Sequence, residues 1–277
     1  MNRELALGVY DVSFHYDGEI PALEGISLEI ADNAFIGIIG QNGSGKTTLV
    51  KHFNGLLKPT SGRVEVYGAD TRSLSIGELA RTVGYVFQNP DHQIFCPTTR
   101  QEISFGLRNL GLSPQEIDRR TEDALSTFGL TPYADLPPAI LGWGLRKKVA
   151  VAAIYAMAPR IFVLDEPTAG LDWRSARALM SCIQALHKAG HTIILVSHDM
   201  RLIGEYTEWI FLMNEGRILL QGTPREVFSQ KILQQTQIMP PPITQLAHSL
   251  SDLGIPPDIL TVDDFCRAYA SVQGKRS

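Results

Sequence analysis

The chain lacks any long apolar run. Its longest, such as AFIGIIG and WIFLM, fall far short of the ~20 residues a helix needs to cross a bilayer. No membrane span is expected, although a membrane partner remains compatible. The N-terminus MNRELALGVYDVSF lacks the apolar core of a secretory signal. Cysteine is scarce: Cys96, Cys182 and Cys266 lie far apart and form no CxxC pair. That excludes a disulfide framework and fits a reduced, cytosolic setting. Excess positive charge is missing too. The 25 Lys and Arg against 29 Asp and Glu leave a formal net charge of −4, so no nucleic-acid partner is expected. His187 and His191 stand four apart, but Gly190 interrupts them and no further ligand accompanies them. They read as surface histidines rather than a metal site. Internal repeats and low-complexity tracts are absent.

What is present is ordinary globular material. The 277 residues are 44% hydrophobic and 19% charged, enough for one large domain with an appendage. LALGVYDVSFHY and GISLEI read as strands, and AFIGIIG as a buried parallel strand ending in glycine. A helix is predicted over 46–53, then strands at GRVEVYG and TVGYVFQ. From 99 to about 128 the spacing turns helical, with Pro114 near a helix start. Further helices are predicted over 145–158 and 174–189, the second ended by Gly190. RIFVLDEP and TIILVSH read as strands, and WIFLMNEGRILLQG as a hairpin turning at residues 214–216. The alternation predicts an α/β fold with a mainly parallel sheet. A helix-rich stretch over 89–157 interrupts it as a subdomain. Residues 1–228 are expected as one domain and 229–277 as a small helical appendage.

GQNGSGKT spans Gly40, Gln41, Asn42, Gly43, Ser44, Gly45, Lys46 and Thr47. It matches G-x-x-x-x-G-K-[ST], after a predicted strand and opening a predicted helix. Gly43 and Gly45 let backbone N–H groups turn inward, and the helix N-terminus adds partial positive charge. Lys46 would reach the β and γ phosphates, and Thr47 would offer its hydroxyl to Mg²⁺. Thr48 follows in the first helical turn. IFVLDEP then delivers two carboxylates from a strand end. Asp165 would hold Mg²⁺ through water and Glu166 would polarise the attacking water, since phosphoryl transfer depends on positioning and charge stabilisation.

With these elements the chain resembles the ATP-binding subunits of ABC transporters, over about residues 3–228. The resemblance implies ATP and Mg²⁺ as ligands and assigns further residues. Tyr16, in SFHYDG, falls where an aromatic ring stacks on adenine, the alternative being a plain strand-edge tyrosine. Gln88 matches the glutamine that senses Mg²⁺ and water. Asp172, in AGLD, matches the loop that crosses between paired subunits, and His198 the histidine that contacts the γ-phosphate. QNPDHQIFCPTTRQEISFGLRNLGL and the tail MPPPITQLAHSL are similar to ATPase subunits of energy-coupling factor importers, which take up vitamins or transition-metal ions such as cobalt and nickel. That likeness implies a second ATPase subunit, an integral-membrane scaffold protein and a substrate-binding membrane protein. It also implies a peripheral position on the cytoplasmic face of the cell membrane. The scaffold's helices would dock near Gln88 and the helical subdomain, and the appendage would help hold the ATPase pair.

One stretch departs from the family. Where L-S-G-G-Q is expected, the chain has LGWGL. Leu141 and Gly144 match, but Gly142 replaces serine, Trp143 the first glycine and Leu145 glutamine. In the family this loop caps the γ-phosphate held by the opposite subunit. Gly142 has no hydroxyl to offer, and Trp143 is expected to place an indole where backbone should approach a nucleotide. Losing one such donor would cost roughly 10²–10³ in rate. The residues of the chain's own site, Lys46, Asp165, Glu166 and His198, are complete. The pattern predicts a heterodimer with one good site, built on this chain's phosphate loop, and one poor site. A tolerated replacement in a homodimer, a homodimer drifted into inactivity, a nucleotide-binding scaffold with little or no hydrolysis of its own, and the ATPase of another ABC importer class are the alternatives. Intact Glu166 argues against the scaffold. Soluble ABC ATPases of DNA repair or translation usually carry coiled coils or two cassettes, which 277 residues with one phosphate loop do not match.

Overall fold

Four short runs, FIGIIG, VGYV, IFVLD and TIILV, are buried along their whole length. Strands apolar on both faces belong inside a parallel sheet covered on both sides. A computed structural model, which describes residues 4–16, 20–230, 233 and 236–274, places them there. Residues 1–3 and 275–277, at the outer ends of the two expected units, lie outside the described residues.

The strands are β1 (Leu5–His15), β2 (Pro21–Ala31), β3 (Phe35–Gly40), β4 (Ser61–Val66), β5 (Ala69–Asp70), β6 (Val83–Val86), β7 (Ile161–Asp165), β8 (Thr192–Val196), β9 (Trp209–Asn214) and β10 (Arg217–Gly222). The helices are α1 (Lys46–Phe53), α2 (Ile76–Leu79), α3 (Thr99–Asn109), α4 (Pro114–Thr127), α5 (Trp143–Met157), α6 (Trp173–Lys188), α7 (Met200–Tyr206), α8 (Pro224–Phe228), α9 (Pro242–Ser249) and α10 (Val262–Gly274).

The central sheet runs β10-β9-β3-β8-β7-β6, parallel except for the β9–β10 hairpin. The early strands are not part of it. They form a separate antiparallel sheet, β2-β1-β4-β5. Alternating buried and exposed positions in β2 show why: one face meets the core and the other meets water. Successive side chains of β3, β7 and β8 point to opposite faces. Ile36, Ile38, Val163 and Ile194 pack toward the antiparallel sheet and α1. Ile39, Phe162, Leu164 and Leu195 pack toward the helices. There α3 lies against α4 and α5. Ala247, Ile255 and Ile259 form a small cluster of their own near the C-terminus, while Leu233 and Ile238 join the main core.

Two helix starts differ from the pattern-based expectation. Helix α5 begins at Trp143, two residues early, because Gly142 is its N-cap in extended backbone without a side-chain cap. No capping side chain marks that start in the sequence. Helix α6 begins at Trp173, where Asp172 accepts a 3.0 Å hydrogen bond from Ser175 N–H.

His52 near the end of α1 is fully buried. Its Nδ1 donates to Thr48 O at 2.8 Å, and its Nε2 has no hydrogen-bond partner among the described residues. Burial holds the imidazole pKa below its usual value. Its unfolded state therefore binds the proton more readily. The stability this neutral ring contributes is complete above about pH 6.5 and is lost as pH falls through the folded pKa. In urea denaturation the midpoint of His52→Gln relative to the parent is expected to shift in the variant's favour between pH 7.5 and pH 5. A relative midpoint that does not change with pH would remove His52 as a source of pH-dependent stability.

Candidate active site

The phosphate loop joins β3 to α1. Gly43 and Gly45 take φ values of 80° and 97°. A Cβ at Gly45 would fall 2.7 Å from Ala22 O, so backbone approach and handedness both require glycine. Lys46 is buried, and its ammonium donates to Gly40 O at 2.9 Å and Gln41 O at 2.7 Å. Burial lowers its pKa, opposed by the charges of Glu166 and Asp165. Ser44 is buried, with Oγ 3.4 Å from the Lys46 ammonium. The Gln41 side chain turns away and donates to Thr236 O at 2.6 Å, tying the loop to the C-terminal segment.

Thr47 Oγ1 donates to Asp165 Oδ2 at 2.9 Å, and the Tyr85 hydroxyl donates to the same oxygen at 2.9 Å. Asp165 Oδ1 is buried with no hydrogen-bond partner among the described residues. A carboxylate oxygen with an open lone pair beside a threonine hydroxyl suits a hard divalent cation that takes oxygen ligands. Tyr16, half exposed, lies at the rim with its hydroxyl 3.2 Å from Thr48 Oγ1 and its ring edge-on to Phe14.

Glu166 follows directly on β7. Burial, its largest influence, raises the carboxyl pKa to about 7, opposed by a hydrogen bond from the His198 backbone and by Lys46 and Lys147. His198 lies just after β8, with Nε2 3.4 Å from Glu166 Oε1 but outside hydrogen-bond alignment. Burial lowers the His198 pKa, and Lys46 lowers it further. The ring is therefore biased toward its neutral form. Gln88, two residues past β6, is exposed at the cavity edge. The cavity, about 1010 Å³, is lined by Tyr16, Asn42, Lys46, Thr47, Gln88, Asp165, Glu166 and His198. Met239, Pro240 and Gln245 from the C-terminal segment wall it as well.

The remaining expected residues lie elsewhere. Gly142, Trp143, Gly144 and Asp172 do not line this cavity. Gly142 is exposed, and a Cβ there would meet nothing within 4 Å. The Trp143 indole is not free at the helix N-terminus, contrary to the expectation from its bulk. It folds onto the loop after β7, with Nε1 donating to Ala169 O at 3.0 Å. Gly170 makes this possible, since a Cβ there would sit 2.9 Å from Nε1. Sequence reasoning missed Tyr85 and Lys147. Lys147 is fully buried and donates to the carbonyls of Gln88 and Glu166. Its position in the run RKK, otherwise solvent-like, gave no sign of burial. Tyr85 could have been found from its place in a strand beside β7.

A glycine-rich loop at a helix N-terminus, a strand-end Asp–Glu pair and a strand-end histidine facing one cavity define a nucleotide-hydrolysing P-loop cassette. The ABC transporter family profile matches residues 23–169. The energy-coupling factor transporter ATP-binding protein EcfA1 of Caldanaerobacter subterraneus is 44% identical over 263 residues, covering 92% of this chain and 95% of that protein. A longer ABC transporter ATP-binding protein of the same organism is 43% identical over 241 residues, and the chain spans 42% of its length. The structure of cbiO1 from Clostridium perfringens, part of the ABC transporter complex cbiONQ, superposes with a TM-score of 0.77 at 35% identity. That match covers 90% of this chain and 100% of cbiO1. The chain belongs to the ABC transporter family, among the energy-coupling factor transporter ATP-binding proteins. Such cassettes bind ATP and hydrolyse it in transport.

Proposed function

We propose that this chain is the hydrolysing half of an asymmetric ATPase pair that powers an energy-coupling factor importer of a vitamin or transition-metal ion. The observation that carries the reading is a contrast. The chain's own site has Lys46, Asp165, Glu166 and His198 around one cavity. The loop it would lend to a partner has no hydroxyl at Gly142 and no side-chain cap on α5. A homodimer would hold two impaired sites. Pairing with a subunit of intact signature would give one good site.

In the good site, residues 40–47 cradle the triphosphate and Lys46 faces its β and γ groups. Tyr16 packs against adenine. Thr47, Asp165 and Gln88 would hold Mg²⁺, which when bound neutralises charge on the phosphate oxygens. Glu166 orients water for attack on the γ-phosphorus, breaking its bond to the bridging oxygen and releasing ADP. His198 donates to the γ-phosphate. Asp172 lies on the loop facing the partner. Residues 1–228 act as the cassette, with 89–157 as its helical arm, and 229–277 as an appendage that helps hold the pair. Phe95 and Phe105 form an exposed edge-to-face pair, with ring centroids 4.7 Å apart, in that arm. They offer an apolar contact for an integral-membrane scaffold, which in turn drives a separate substrate-binding membrane protein. Among the described residues no helix is long and apolar enough to cross a membrane, which agrees with a peripheral position on the cytoplasmic face.

The test is steady-state ATP hydrolysis of the chain alone and with ATPase subunits of intact signature, Glu166→Gln serving as blank. Activity near the blank alone, and well above it with a partner, is expected. Because nothing obstructs a side chain at 142, Gly142→Ser is expected to raise hydrolysis by the chain alone by at least about tenfold. Brisk hydrolysis by the unmodified chain, matched by Gly142→Ser/Trp143→Gly, would sink the asymmetric pair.

A further inference from the structure

Trp143 and Lys147 are four residues apart on α5 and therefore share one face. Both reach the loop that leaves β7. Trp143 Nε1 donates to Ala169 O at 3.0 Å, and the Lys147 ammonium donates to Glu166 O at 2.8 Å. Ala169 N–H donates to the same Glu166 carbonyl at 3.2 Å. The Lys147 ammonium also donates to Gln88 O and lies 5.7 Å from the centre of the Trp143 ring. Glu166 needs such support. Its φ is 48°, a left-handed conformation that a residue with a Cβ adopts only when its surroundings impose it. On its other side Glu166 N–H is held by Val196 O at 3.0 Å. A fully buried lysine whose ammonium donates to two backbone carbonyls is costly to desolvate. The Trp143 indole lies so close to Gly170 that a Cβ there would sit 2.9 Å from Nε1.

We propose that Trp143 and Lys147 form a clamp from the signature helix that positions Glu166 for hydrolysis in this chain's own site. The inference rests on the reading of Glu166 as the residue that orients water. On this view Trp143 is more than a defect in the loop lent to a partner. It fastens the loop carrying the chain's own catalytic carboxylate, and Lys147 ties that loop to Gln88.

The test uses the full chain, paired throughout the hydrolysis readouts with an ATPase subunit of intact signature, with Trp143→Phe, which keeps a ring but loses the N–H, and Lys147→Met, which keeps the stem but loses the donors. Amide hydrogen exchange over residues 166–171 is expected to speed by about tenfold in each variant. Single-turnover ATP hydrolysis is expected to fall about tenfold, with ATP affinity within about twofold of the parent. In a Glu166→Gln background neither change should lower hydrolysis further. Unchanged exchange, or an equal fall in the Glu166→Gln background, would overturn the clamp. If Lys147→Met does not fold, Trp143→Phe carries the same readouts. If Glu166→Gln hydrolyses ATP like the parent, the reading of Glu166 fails, while the exchange result still decides whether the clamp exists.

Discussion

In the chain paired with an ATPase subunit of intact signature, Glu166→Gln is expected to slow ATP turnover by about 10²–10⁴-fold while ATP remains bound, the range typical for losing a positioned general base. The amide keeps the shape and loses the charge. Burial lifts the Glu166 pKa to about 7, which would suit it to this role. A carboxyl with that pKa is protonated below it, so parent turnover should rise with pH through about 7 and the variant should lose this limb. Stability has its own sign. The unfolded carboxyl ionises near 4.5 and the folded one near 7, so the parent loses stability as pH rises between the two. Above pH 7 the uncharged glutamine avoids that cost. Glu166→Gln is then expected to be more stable than the parent at pH 8, by up to about 3 kcal/mol. Calorimetric ATP binding, a pH–rate profile and denaturation at pH 5 and 8 check these statements together. Equal turnover by parent and variant would move the hydrolytic role away from Glu166.

Lys46→Met is expected to weaken ATP binding by at least about 10- to 100-fold, the loss expected for hydrogen bonds between a charged donor and its acceptor. The ammonium is buried at the base of the cavity and bonds two loop carbonyls, Gly40 O and Gln41 O. Bound triphosphate would offer this cation the counter-charge it lacks among those carbonyls. The methionine stem fills the same space, so the fold should survive, as thermal denaturation would show. Unchanged ATP affinity in a folded variant would remove residues 40–47 from the binding site.

Much of the site is legible in the chain because each part depends on local chemistry. The phosphate loop needs glycine at 43 and 45 for backbone that L side chains disfavour. The carboxylates at 165 and 166 follow an apolar run that must be a buried strand. His198 follows another. The separate antiparallel sheet was less legible. Short strands announce their existence through alternation, but their pairing depends on residues far apart, such as Leu7 with Val66.

Neighbouring residues alone mark this chain as a nucleotide-binding cassette, because strand, glycine loop and helix lie next to one another and their chemistry needs no distant partner. They also show that the signature loop lacks a hydroxyl at 142. Packing between distant elements sets where Trp143 points, buries Lys147 beneath Glu166, and brings the segment around Thr236 onto Gln41 beside the cavity. Those contacts join residues 26, 19 and 195 positions apart. They depend on how α5, β7 and the C-terminal segment pack, which no local pattern of residues specifies.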